Sequence, residues 1–170
     1  MIHRRNLLGA GALGLAGAAT AFANPEKAAD LAAPAIARNR RRFNMVTTWP
    51  KGLPGLGEAA ERVAERIQQM SDGLMEVKVF AAGELVPPFE SFDAVSNGSA
   101  DMYHGAEYYW TAKSSAYPFF TAVPFGMTAQ ELMGWIDFGG GQELWDELSA
   151  QFGVKSIQAA NTGHQMGGWF

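Results

Sequence analysis

Two histidines and a glutamate are the residues whose types could carry a reaction. His104 and Glu107 stand three apart in "HGAE", and His164 lies in the closing "NTGHQMGGWF". Such groups serve as metal ligands or as an acid–base pair. A zinc site, however, needs three or four ligands of set geometry, and nothing in the sequence supplies a convincing third. Each histidine reads better as a hydrogen-bonding residue near a pocket or at a buried strand end. No G-x-S-x-G or other nucleophile signature is present. "GGGQE" and "TGHQMGG" lack the strand, spacing and lysine of a phosphate loop and read as turns. The chain has no cysteine, which removes disulfides, thiolate ligands and a cysteine nucleophile together.

What remains is a concentration of rings and amides in loops. "TTWP", "AEYYW" and "NTGHQMGGWF" place Trp49, Tyr108, Tyr109 and Gln165 beside hydroxyl, amide or glycine groups. Ligand pockets combine apolar rings with a few placed polar groups, and in open α/β sheets they lie outside the carboxyl ends of the strands. Trp135 and Trp145, at helical spacing, read as core. For Tyr108, Tyr109 and Gln165 the residues alone fit a pocket and a core equally well.

The elements that must position these groups follow from periodicity. Residues 43–49 are β-rich and lead into a Pro/Gly loop. From Leu56 the apolar positions Leu56, Ala60, Val63, Ile67 and Met70 recur at helical spacing, and Ser71-Asp72-Gly73 stops the helix. "LMEVKVF" alternates as a second strand, so the segment is a βαβ unit and the sheet is parallel. A short helix at 89–96, a stop at Gly98 and a strand at 102–104 repeat the alternation. Thr128 reads as an N-cap before Glu131, and a further helix through Leu144, Trp145, Leu148 and Phe152 ends at Gly153. "VKSIQAA" supplies a last predicted strand. The fold class is α/β.

Composition bounds the partners. The first residues carry Arg4 and Arg5, then an Ala-, Leu- and Gly-rich uncharged run, then small residues spaced for a signal peptidase. This is an export signal of twin-arginine (Tat) type, with cleavage preferred after Ala35-Ile36-Ala37, and it places the protein in the periplasm. Beyond Arg42 the chain has six Lys and Arg against fifteen Asp and Glu. So acidic a body argues against nucleic acid. The "RNRRR" at 38–42 reads as a solvated mature N-terminus.

The ordered motifs "SDGLMEVKVFAAGELVPPFESFDAVSNGSADMYHG", "EYYW", "TAVPFG", "GGGQELWDEL" and "NTGHQMGGWF" resemble the DctP-type extracytoplasmic solute receptors of tripartite ATP-independent periplasmic (TRAP) transporters, most of all their 2-oxoacid group. The resemblance spans nearly all of residues 43–170. It implies a type II-like periplasmic binding fold, two α/β lobes closing on a small carboxylate such as pyruvate, and no enzymatic turnover. On that pattern residues 1–37 are the signal peptide, 38–127 lobe one, 128–153 the inter-lobe helices and 154–170 the start of lobe two. The resemblance further implies that Gln165 coordinates a cation, sodium or calcium, bridging to the substrate carboxylate, and that Tyr108 and Tyr109 face the ligand. The third position of the tyrosine motif is Trp110 here. The family's carboxylate-clamping arginine and the acids completing its cation site lie C-terminal to "GGWF", so the chain is expected to correspond to the first half of a receptor and to bind weakly by itself. TRAP membrane subunits are the implied partners, with homodimerisation as in some members. Two other readings compete: an exported enzyme using Glu107 with His104 or His164, and an envelope interaction protein whose aromatic loops bind another protein.

Overall fold

Arg41–Thr47, Met75–Phe80 and Met102–His104 form three strands, β1, β2 and β3, in the computed structural model of the protein, which describes residues 39–163. They make one parallel sheet in the order β2-β1-β3. Val46 of β1 stands opposite Phe80 on one side and Tyr103 on the other. The parallel sheet predicted from alternation is therefore present. The basic run is not only a solvated terminus: Arg41 and Arg42 pair with Met75 and Glu76, and Arg42 Nε donates to Glu76 Oε2 at 3.0 Å. Long side chains let a strand begin on arginine because the guanidinium stays in water while the backbone joins the ladder.

Helix α1 (Gly57–Met70) connects β1 to β2, as the spacing predicts. Its buried stripe is made of Gly57, Ala59, Ala60 and Ala64. Small side chains bring the helix close, and a Cβ at Gly57 would stand 2.6 Å from the Pro50 carbonyl oxygen. Met70, which shares the apolar spacing, is 86% exposed, because burial fades after Ala64 and the last turn has no cover among the described residues. The predicted stop holds: Asp72 and Gly73 take φ of 52° and 73°, and the Gly73 N–H reaches back to the Gln68 carbonyl at 2.9 Å.

A 3-10 turn at Pro88–Glu90 leads into helix α2 (Ser91–Ser96), and α2 into β3. The two sheet faces separate cleanly by parity. Val46, Phe80 and Tyr103 pack with Ala94 and Val95 of α2. Phe43, Val77 and Met102, of opposite parity, line a groove with Ile67 of α1.

Helices α3 (Ala129–Phe138) and α4 (Gly141–Ala150) form a second layer of packing. Thr128 opens α3 with a full capping box: its hydroxyl accepts the Glu131 N–H at 3.4 Å, and Glu131 Oε2 accepts the Thr128 N–H at 2.8 Å. Thr128→Ala is expected to destabilise the protein by about 1 kcal/mol; an unchanged denaturation midpoint would show that the box contributes nothing. Between α3 and α4 the chain turns so tightly that a Cβ on Gly141 would lie 2.9 Å from the Ile136 Cα and from the Trp135 ring. Phe120 is sandwiched between Trp135 at 5.6 Å and Trp145 at 5.3 Å, both stacked. Trp145 is core, as its spacing indicates, and Trp135 packs against the same cluster. Leu148 of α4 touches this cluster and a second one built on Phe92, Trp110, Tyr117 and Val154.

Residues 154–160 carry no regular secondary structure and do not form the predicted strand. The inward alternation is real at its start, with Val154 and Ser156 buried. A strand also needs a ladder partner, and here the anchors are side chains instead. The Gln142 amide donates to the Ser156 carbonyl at 2.9 Å, and the Ser149 and Ser156 hydroxyls lie 2.9 Å apart. Ile157 is 70% exposed. Among the described residues no helix is long and apolar enough to cross a membrane.

Candidate functional site

In a parallel sheet all strands end on the same edge, and in the order β2-β1-β3 the connections from β1 and from β2 leave in opposite directions. The loops after β1 and β3 lie side by side at that edge, outside the carboxyl ends of the strands, where open α/β sheets take their ligands. Trp49 follows β1 by two residues, His104 closes β3, and a 3-10 turn at Glu107–Trp110 carries Tyr108 and Tyr109.

These groups meet. Trp49 Nε1 donates to His104 Nδ1 at 2.9 Å. The Trp49 and Tyr109 rings lie 5.9 Å apart, Tyr109 and Tyr108 4.7 Å apart in an edge-on arrangement, and Tyr109 meets Phe89 edge-on at 5.2 Å. Tyr108 is 40% exposed and Phe89 65%, whereas Trp49 is buried. The result is an aromatic rim, firm beneath and open above. Burial, with the adjoining Tyr108 hydroxyl, pushes Tyr109 up to about 12, so its hydroxyl stays protonated and able to donate. The cavity behind Trp49, lined by Thr47, Pro50, Lys51 and Glu84, is about 30 Å³. That is room for one water.

The backbone is fixed where the rim needs it. Thr48 N–H donates to the His104 carbonyl at 3.1 Å, extending the β1–β3 pairing past the strands. Ala82 N–H donates to the Trp49 carbonyl at 2.8 Å, and the Thr47 hydroxyl to the same carbonyl at 3.0 Å. Gly105 lets the chain leave β3 against Thr48, since a Cβ there would lie 3.2 Å from Thr48 Cγ2.

The acid–base pair suggested by "HGAE" does not assemble. Glu107 turns into the core, 6% exposed, and accepts the Tyr103 hydroxyl at 2.8 Å, while His104 faces Trp49. Burial pushes the Glu107 carboxyl up to about 7 against the lowering influence of the Tyr103 and Ser156 hydroxyls. Burial holds His104 below its ordinary value, which favours the neutral ring. Among the described residues no group of three or more His, Cys, Asp or Glu could hold a metal. His164 and Gln165 lie outside the described residues. Phe89 is the rim residue that periodicity did not single out; the two prolines before it, which fix the turn presenting the ring, are the signal that could have found it.

Residues 45–168 match the bacterial extracellular solute-binding protein family 7, DctP, and the chain belongs to that family. It is a periplasmic family of solute receptors rather than enzymes. The chain is 44% identical over 129 residues to a monocarboxylate 2-oxoacid-binding periplasmic protein of Nostoc, covering 76% of this chain and 35% of that protein. Among solved structures it resembles a TRAP periplasmic solute binding protein from Colwellia psychrerythraea with bound calcium and pyruvate, at 37% identity and a TM-score of 0.75 over 78% of this chain and 40% of that one. A second, from Pseudoalteromonas atlantica with bound sodium and pyruvate, matches at 37% identity and a TM-score of 0.68 over 70% of this chain and 36% of that one. The chain thus spans little more than a third of the length of these relatives. The α/β architecture expected from the sequence is the architecture of two-lobed TRAP receptors.

Proposed function

We propose that this chain supplies the first wall of a TRAP receptor cleft that binds a small monocarboxylate, a 2-oxoacid such as pyruvate, and delivers it to TRAP membrane subunits. The observation that carries this reading is the aromatic rim of Trp49, Tyr109 and Tyr108 at the carboxyl ends of β1 and β3, in a chain of this family. Tyr108 and Tyr109 offer hydroxyl donors over apolar rings, which suits a carboxylate carrying a short apolar group. Gln165 is the fourth contact and the cation ligand. Sodium and calcium are hard cations that take oxygen donors. Relatives that hold sodium or calcium together with pyruvate support the cation. Residues 1–37 serve as a Tat export signal, 38–127 as lobe one, 128–153 as inter-lobe helices and 154–170 as the entry to lobe two; homodimerisation belongs to the whole protein.

Calorimetric titration of the whole receptor with pyruvate, with and without sodium or calcium, tests the reading. Saturable binding with no product formation is expected, and Tyr109→Ala should weaken it by about tenfold, or about 1.4 kcal/mol. A receptor that binds no 2-oxoacid under any of these conditions, or that turns one over, would overturn it.

A further inference from the structure

The Trp49–His104 contact fixes which atoms of the rim remain free. A nitrogen that accepts a hydrogen bond carries no proton, so His104 Nδ1, taking the Trp49 indole N–H at 2.9 Å, leaves the neutral ring's single proton on Nε2. Both partners are held from behind: the His104 carbonyl by Thr48 N–H, the Trp49 carbonyl by Ala82 N–H. The only donor on the Trp49 side chain is thereby used, and the indole can offer a ligand its ring but not a hydrogen bond. His104 Nε2 has no hydrogen-bond partner among the described residues, and the residue is only partly buried. It stands on the last residue of β3, at the carboxyl edge of the sheet.

Resting on the receptor reading above, we propose that His104 has two roles in the cleft: its Nδ1 positions Trp49, and its Nε2–H donates a hydrogen bond to an oxygen of the bound oxoacid. A carboxylate or keto oxygen leaving water needs such donors, and one left without a partner loses affinity. The imidazole supplies a donor that adds no charge to the pocket, leaving the carboxylate's charge to be balanced elsewhere. The arrangement also assigns Trp49 a packing role only.

Two substitutions separate the roles, because asparagine places an acceptor near the position of Nδ1 while glutamine places its amide near Nε2. In the whole receptor, nitrogen NMR of His104 should show the Nε2–H tautomer before ligand is added. His104→Asn should keep the hydrogen-bonded Trp49 indole resonance and weaken pyruvate binding by about tenfold. His104→Gln should shift that resonance while retaining part of the affinity. An Nδ1–H tautomer in the wild type would overturn the positioning role, and this readout needs no variant to fold. Unchanged pyruvate affinity in a folded His104→Asn receptor would overturn the donor role. A wild-type receptor that binds no 2-oxoacid would instead sink the receptor reading and the donor role with it, leaving the tautomer to decide the positioning role separately.

Discussion

Replacing Phe92 by alanine is expected to lower the stability of the folded chain by about 3–5 kcal/mol, the range for truncating a fully buried phenylalanine. Phe92 is 0% exposed. It meets Tyr103 at 5.6 Å, Trp110 at 5.4 Å, Tyr117 at 5.7 Å and Phe152 at 5.5 Å, in tilted or edge-on geometry. Each such ring pair adds to the burial gain, and all four would be lost at once. The ring joins α2 to β3, to the turn carrying Tyr109, and to the segment after α4, so the cavity would open where these elements converge. Small domains hold only about 5–15 kcal/mol in total, and the variant should therefore unfold at a much lower urea concentration. Phe138→Ala is the control: that ring is 91% exposed, and its loss should stay within about 0.5 kcal/mol. Equal effects at the two positions would show that the aromatic cluster is not the core.

The same comparison shows what the sequence could and could not disclose. Phe138 and Ile136 are both apolar residues of α3, but only Ile136 lies in the inward stripe; helical period distinguishes them, as it distinguishes Trp145. The capping box at Thr128 and the left-handed stop at Gly73 are local chemistry and were legible for that reason. Period does not show what an element packs against. "VKSIQAA" alternates correctly over Val154 and Ser156, yet finds side chains of α4 rather than a neighbouring strand. The arginines at 41 and 42 join β1 because a ladder is made by backbone, which composition does not weigh.

The candidate site divides in the same way. That aromatic loops would lie at the strand ends followed from the βα alternation and the parallel sheet it implies. The Trp49–His104 bond, across fifty-five residues, depends on the register of β1 against β3, which no local pattern encodes. Glu107 shows the limit most clearly. Three residues from His104 it looks like half of a catalytic pair, but the 3-10 turn aims it inward to Tyr103, and its chemistry becomes that of a buried acid.

That burial makes stability depend on pH in a defined direction. The Glu107 carboxyl is raised from an ordinary value of 4.5 to about 7 in the folded protein. Below 4.5 the group is protonated in both states and contributes no difference. Between 4.5 and about 7 only the folded protein holds the proton, so stability falls by about 1.4 kcal/mol for each unit of rising pH. Above that window both states are ionised and the loss levels off, at about 3 kcal/mol. Glu107→Gln removes the titration while keeping a carbonyl oxygen able to accept the Tyr103 hydroxyl. The variant should match the wild type near pH 5 within about 1 kcal/mol and exceed it by about 2–3 kcal/mol near pH 8. Urea unfolding of both proteins at each pH gives the answer as a difference, in which the histidines and surface carboxylates cancel. A constant difference across that range would mean that Glu107 does not take up its proton on folding, whereas a difference that opens between pH 5 and 7 identifies this carboxyl as the group whose ionisation the core resists.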